Sequence, residues 1–391
     1  MDPVRRGLAG AICLAGALSL GCPRAAEVRS SDVAAREPPG EFVLRLPPGF
    51  PKPVIPEDNP ITAAKIELGR HLFFDRRLSG NETQSCADCH RRELAFTDGR
   101  ARAVGSTGEL HPRGAMSLAN VAYGATLTWA DNGVRRLEDQ ALIPMFNEHP
   151  VELGVAGNER TILRRFQDDR RYVAMFGEAF PGQDEPIRID NVARGLASFE
   201  RTLLSGDSPY HRLLYRGEMD ALSPSARRGL DLFFSEAIGC SRCHDGVTVS
   251  GPIVFEQHPE IEPTFHNTGL HDVDGKGSYP EGNRGLFEIT GAAEDMGRFR
   301  APTLCNVALT APYMHDGSLA SLEEVIDFYA AGGSDRGKNN PFKSELIRGF
   351  DITPSEKADL IHFLESLTDM TFVSDPRHSN PFDEVGLRSK H

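Results

Sequence analysis

The clearest periodicity in the chain begins near Thr62. Ile61, Ala64, Leu68 and Leu72 recur at helical spacing, and Thr62 stands where an N-cap belongs. The pattern predicts a helix that ends at Phe73-Phe74-Asp75. A second amphipathic helix is predicted over Ile189–Leu204, with Val192, Leu196, Phe199 and Leu203 on one face. The later half opens and closes in the same way. Ser223-Pro224 reads as an N-cap followed by proline at the first helical position. Thr353, Pro354 and Glu356 form a capping-box pattern ahead of a helix over Thr353–Leu367, with Leu360, Ile361, Leu364 and Leu367 facing inward. Ser321 and Glu324 predict another capping box, and Leu322, Val325, Ile326 and Tyr329 share one face of the helix that follows to Ala330.

These elements repeat. Gly69-Arg70-His71-Leu72-Phe73-Phe74 and Gly229-Leu230-Asp231-Leu232-Phe233-Phe234 both read G-x-x-L-F-F. Each leads into C-x-x-C-H: Cys86-Ala87-Asp88-Cys89-His90 in the first half, Cys240-Ser241-Arg242-Cys243-His244 in the second. That spacing is the attachment signature of a c-type haem. Two thiols three residues apart lie on one side of a helical turn, where they can add to the two vinyl groups of one porphyrin, and the histidine follows as an iron ligand. The fold class expected is mainly α. It comprises two cytochrome c-like domains, 61–205 and 206–372, each with one covalent haem and long ordered loops. A lead-in over 23–60 precedes them and a tail over 373–391 follows. The segment His244–Thr303 is rich in Gly and Pro and poor in periodic runs, as befits a loop that lines a site or is tied down by a cofactor.

Charge and cysteine use narrow the setting. The 391 residues carry a formal net charge of −13, which argues against a nucleic-acid partner and leaves room for a basic redox partner. Arg5 and Arg6 precede the short apolar run Gly7–Leu20, so residues 1–22 read as an export signal too short to span a bilayer. Cys22 after Gly21 resembles a lipoprotein anchoring site, although Ser19 stands where Leu is usual; an ordinary cleaved signal is the alternative. Either way the expected location is the periplasm. Of the seven cysteines, four belong to the haem motifs, Cys13 and Cys22 belong to the export segment, and Cys305 is expected to be a small buried residue.

The motifs together resemble the bacterial dihaem cytochrome c peroxidase family, including its MauG-like branch. The resemblance runs from about residue 60 to 370. It is carried by Glu67–Leu78 with Cys86–His90, Trp129, Gln140–Gly154, Phe233–Gly246, Phe265–Leu270 and Ala301–Tyr329, the last containing Ala311-Pro312-Tyr313-Met314-His315-Asp316-Gly317. It implies a peroxide-reducing haem on His90 and an electron-entry haem on His244. Glu152 would be the acid/base, Gln140 would orient peroxide or water, and Pro144 would crowd the pocket. Two residues are inserted between Asn147 and Glu152 relative to the family pattern. Trp129, the only tryptophan, would bridge the haems. Where family peroxidases place a methionine ligand to the second iron, this chain has Tyr329, as the MauG-like branch does; Met314 is the competitor. Ser106 stands where a histidine usually blocks the first iron, with His111 nearby as a substitute and His71 read as a solvated side chain. A calcium ion would use the carbonyls of Thr310 and Pro312, but Gly114 replaces the asparagine that completes that site. His315 would sit near the second haem edge.

The function expected is a periplasmic dihaem peroxidase that reduces hydrogen peroxide with electrons from a small donor, a c-type cytochrome or cupredoxin. One alternative is a MauG-like oxidase that modifies a partner protein. Another is an electron-transfer cytochrome without catalysis, against which the open first iron and the Gln140–Glu152 segment argue. A homodimer is a further expectation.

Overall fold

The structure, a computed structural model, describes residues 42–383. The expected export segment, with Cys13 and Cys22, lies outside the described residues. The described chain is mainly helical. Its one ladder pairs Phe265–His266 antiparallel with Phe299–Arg300, Phe265 opposite Arg300. Among the described residues no helix is long and apolar enough to cross a membrane.

The G-x-x-L-F-F repeat has a packing cause. Helix Ala63–Phe74 lies along helix Ile189–Glu200, and helix Pro224–Phe233 lies along helix Pro354–Glu365. At the first crossing, a Cβ on Gly69 would sit 1.9 Å from the carbonyl oxygen of Gly195. At the second, a Cβ on Gly229 would sit 2.0 Å from the carbonyl oxygen of Asp359. Glycine is needed because backbone meets backbone there. One turn further along, Phe73 meets Phe199 with ring centroids 5.2 Å apart, and Phe233 meets Phe363 at 5.0 Å. In each half the same spacing, glycine then phenylalanine four residues on, welds the two helices together.

The helix ends follow local chemistry. Thr62 accepts from the Lys65 amide, and Ser223 from the Ala226 amide behind Pro224. Thr353 and Glu356 cap reciprocally, as expected. The Ser321 box is only half made: Ser321 accepts from the Glu324 amide, but the Glu324 carboxylate turns to the Ala320 amide instead. The helix expected to run to Leu204 stops at Glu200. Arg201 keeps right-handed backbone angles as the cap, and its guanidinium forms a buried double ion pair with Glu138, at 2.8 and 2.9 Å; beyond it the chain turns, the Leu204 amide donating to the Thr202 carbonyl at 2.8 Å.

One apolar cluster collects Leu68, Leu72, Phe73, Phe96, Met145, Ile162, Phe176 and Phe199. A second collects Phe233, Val249, Ile326, Leu360 and Phe363. The short helix Met370–Ser374 returns Phe372 and Val373 to the first cluster. Cys305 is buried at 1% exposure in the second, as expected. His71 corrects its expectation. It is 2% exposed, with Nδ1 2.8 Å from the Glu67 carbonyl oxygen, Nε2 against Arg171, and Phe382 edge-on over the ring. Residues far along the chain cover a helix face that looked solvated.

Gly69→Ala and Gly229→Ala should each destabilise the holoprotein by about 1–3 kcal/mol, as overpacking does. Helix propensity alone would favour alanine by about 1 kcal/mol. A denaturant titration therefore tests the sign as well as the size.

Candidate functional site

Both C-x-x-C-H segments form single helical turns. Cys86–Cys89 is a four-residue helix capped reciprocally by Ser85 and Asp88; Arg76 in turn grips Asp88 at 2.6 Å. Cys240–Arg242 is a 3₁₀ turn entered through Gly239 in the left-handed region. In each, the histidine Nδ1 meets a backbone carbonyl: His90 with Phe96 at 2.8 Å, His244 with Pro302 at 3.1 Å. That contact puts the hydrogen on Nδ1 and leaves Nε2 free to bind a metal. Burial lowers the pKa of both imidazoles, His244 to about 4, so both are neutral, as a ligand must be.

The second turn opens on a cavity of about 480 Å³, within the range of small-molecule and cofactor sites. Cys240, Cys243, His244, Met314, Tyr329 and Trp129 all line it. Arg300 lines it too. Its Nε is buried without a partner, and burial pulls its pKa down to about 10. A buried guanidinium with no protein carboxylate suits an anionic ligand. Haem, with apolar faces and two carboxylates, fits this lining. Tyr329 packs beside Trp129 and Met314. Burial raises the phenol's pKa, and the Cys243 and Cys240 sulfurs act on it in the same direction. The Trp129 indole donates to the Gly114 carbonyl at 3.0 Å and meets the His315 ring edge-on.

The helix Leu137–Phe146 carries Gln140 and Pro144 one turn apart, on the same side as Asn147. Pro144 lacks the N–H that would reach the Gln140 carbonyl. The backbone then turns, and Leu153 donates back to the Pro144 carbonyl at 2.9 Å. This return presents Glu152. Its main-chain oxygen accepts from the Ser106 amide at 2.7 Å. Gly105 allows that approach: a Cβ there would lie 1.8 Å from the Val151 carbonyl oxygen. Burial pushes the Glu152 carboxyl up to about 7, against a hydrogen bond from Asn147 that lowers it. Glu152 also acts electrostatically on Cys89, whose sulfur accepts from Gln84 at 2.9 Å. The carboxyl and the first haem turn therefore share a neighbourhood.

His111 stands beside Glu152, its Nε2 4.0 Å from the carboxyl oxygen. Its Nδ1 accepts from the Arg113 amide at 3.2 Å, which leaves the hydrogen on Nε2, toward Glu152. Burial, then Arg113, lowers its pKa to about 4. The sequence marked His111 only as an iron ligand; the hairpin that brings it to Glu152 has no local signal. Two further buried groups were not legible. Arg300 is one charged residue among many. Glu200 has a side-chain oxygen without a partner, and burial raises its pKa to about 8.

Comparison with known proteins agrees with this arrangement. Residues 63–220 match the family model described as di-haem cytochrome c peroxidase. Cytochrome-c peroxidase IdrP1 of Denitromonas iodatirespirans is 36% identical over 353 residues, 85% of this chain and 90% of that protein. Methylamine utilization protein MauG of Methylorubrum extorquens is 35% identical over 324 residues, 83% of each chain. A crystal structure described as a MauG-like protein associated with microbial copper homeostasis is 46% identical. It superposes with a TM-score of 0.84, over 87% of this chain and 99% of that one. With similarity of this extent across both haem-binding turns, the chain belongs to the di-haem cytochrome c peroxidase family and is an oxidoreductase.

Proposed function

We propose that this chain is an exported enzyme of two cytochrome c-like halves that reduces hydrogen peroxide at a haem held by Cys86, Cys89 and His90. Electrons enter through a second haem held by Cys240, Cys243 and His244. The observation that carries the reading is the far side of the first centre. Glu152, with a pKa of about 7, is held in the neighbourhood of the Cys89 turn, its main-chain oxygen fixed by the Ser106 amide and its carboxyl beside a neutral His111. Bound haem supplies the redox-active iron; the chain supplies proton handling and orientation.

Reduction of hydrogen peroxide to two waters takes two electrons and two protons. Glu152 accepts the proton of the incoming peroxide oxygen and returns it to the departing one, which leaves as water; solvent supplies the two protons consumed, which with the two electrons turn the remaining oxygen into the second water. A carboxyl that titrates near pH 7 can do both. Gln140 orients peroxide, Pro144 narrows the pocket, and Asn147 and His111 hold the carboxyl in place. The Trp129 indole shortens the path for electrons between the two centres. Tyr329, which lines the cavity with His244, would be a second protein ligand to the haem held there. A phenolate there stabilises oxidised iron, where a thioether such as Met314 would raise the reduction potential. Calcium at the Thr310 and Pro312 carbonyls has less support: Gly114 offers no side-chain oxygen, and its carbonyl accepts from Trp129. The leader, with Cys22 as either anchor or discarded residue, supports a periplasmic location. The donor is then a small c-type cytochrome or cupredoxin.

A second reading has its own support. Tyr329, MauG at 35% identity and the MauG-like copper-homeostasis protein at 46% identity favour oxidation of a partner protein by the same centre. An exported protein that handles copper is the first partner to try. Peroxide assays with a reduced small cytochrome separate the two: fast multiple turnover supports the peroxidase, and slow turnover with oxidation of a co-purified partner supports the second.

Glu152→Gln should slow the reaction of the ferric holoprotein with peroxide about 10²–10⁴-fold. In the unmodified protein the base is ionised above its pKa, so the rate should rise as pH passes through about 7. The variant should lack that limb; stopped-flow traces with an unchanged profile would remove Glu152 from the mechanism. Tyr329→Met should alter the absorption and electron paramagnetic resonance of the second haem and raise its potential. Identical spectra would mean that the phenol is not a ligand.

A further inference from the structure

At the wall of the second cavity, which His315 lines, stands a cluster that the peroxide chemistry does not use. His271, His315 and Asp316 each offer one ligand atom, and these atoms lie within 4.8 Å of one another. They come from separate segments. His271 follows the strand Phe265–His266; His315 and Asp316 sit in the turn bridged by Tyr313 and Leu319. His271 Nε2 lies 2.8 Å from Asp316 Oδ2, and the other Asp316 oxygen accepts from the Ser318 amide.

His315 supplies the independent observation. The residue is 6% exposed, and its Nε2 is buried with no hydrogen-bond partner. Its ring is stacked on Phe299, centroids 3.6 Å apart and 14° from parallel. The residue's main-chain oxygen accepts from the Gly114 amide at 2.9 Å. Leaving a polar nitrogen so placed without a partner is costly. Arg113, over the Phe299 ring on which His315 stacks, is already paired with Glu288 at 2.7 Å. The cluster thus offers two imidazole nitrogens and one carboxylate oxygen, one of the nitrogens buried and unpartnered.

We propose that His271, His315 and Asp316 form a binding site for a borderline divalent cation of the zinc class, separate from both haem-binding turns. The donor set makes the choice. Calcium and magnesium seek six or more oxygens, whereas two imidazoles and one carboxylate are the ligands of zinc, copper and nickel. Three protein ligands leave a fourth position for water, and His271 and Asp316 are partly open to solvent. Metal–ligand bonds of about 2.0–2.2 Å require the set to tighten. His271 and Asp316 can move, while the stacked His315 is fixed. A cation there would stand beside Trp129 and the second cavity, on the path proposed for electrons.

The test uses the haem-loaded protein, treated with chelator and supplied with excess calcium to fill any all-oxygen site. Zinc titrated by calorimetry should bind at one equivalent, and zinc-edge X-ray absorption should report two imidazoles. His271→Ala and Asp316→Asn, at the solvent side, should each weaken binding about tenfold or more, with haem spectra unchanged. His315→Phe should weaken zinc binding to a similar degree. Absence of zinc binding would overturn the proposal and would mean that the His315 nitrogen serves the cofactor in the adjoining cavity. Binding that survives all three substitutions would overturn it too. Neither result touches the assignment of Glu152, which the peroxide kinetics decide.

Discussion

Two backbone-to-backbone contacts carry the architecture. Where Gly69 meets Gly195 and Gly229 meets Asp359, helices approach closer than any side chain permits. That approach sets the height of Phe73 and Phe233 against their partners Phe199 and Phe363. Phe73 in turn packs toward His90. The helix crossing thus fixes where the chain enters the haem turn, and the histidine inherits its position from packing formed some twenty residues earlier. A loss at the crossing would reach the iron ligand without touching it.

The halves diverge after that shared beginning. His90 finds its carbonyl partner six residues on, in Phe96, inside the first apolar cluster. His244 finds its partner in Pro302, at the far end of a long irregular segment. The first ligand is held locally. The second is held by a loop that must itself be held, by the short ladder Phe265–His266 with Phe299–Arg300 and by whatever fills the cavity. A bound cofactor stabilises the folded state by mass action, so the second half depends on its haem more than the first.

What was legible follows the same division. Helix positions, caps and the repeat were readable because they obey short-range rules: Thr62, Pro224 and the Thr353–Glu356 box behave as their local chemistry demands. The two C-x-x-C-H motifs stood out because covalent haem attachment would require that one spacing, and both form helical turns. His71 was misjudged because its cover comes from Arg171 and Phe382, far along the chain. The helix after Ile189 was drawn too long because its apolar spacing continues to Leu203, whereas the backbone beyond Arg201 leaves the helix in a tight turn from Thr202 to Leu204. Glu152 carried no signal of its own as an acid among acids; only the return of the chain at Leu153 and the close pass of Gly105 give it an environment.

Electrostatics separates the two centres more sharply than ligand identity does. Around Glu152 burial acts on an acid, and a neutral His111 offers its hydrogen rather than a charge. The carboxyl can therefore change protonation without a fixed counter-charge to oppose it. Around the second cavity burial acts on a base, Arg300, which keeps its proton even when its pKa is pulled down to about 10. The first environment is suited to moving protons and the second to holding a fixed positive charge. A fixed positive charge beside a bound redox centre would stabilise its reduced state, whereas a donating phenolate from Tyr329, the ligand we propose, would stabilise the oxidised one. The two effects would oppose each other at the cavity both residues line. On that proposal the potential of the second centre reflects their balance, and Tyr329 and Arg300 act as one electrostatic unit rather than in separate roles.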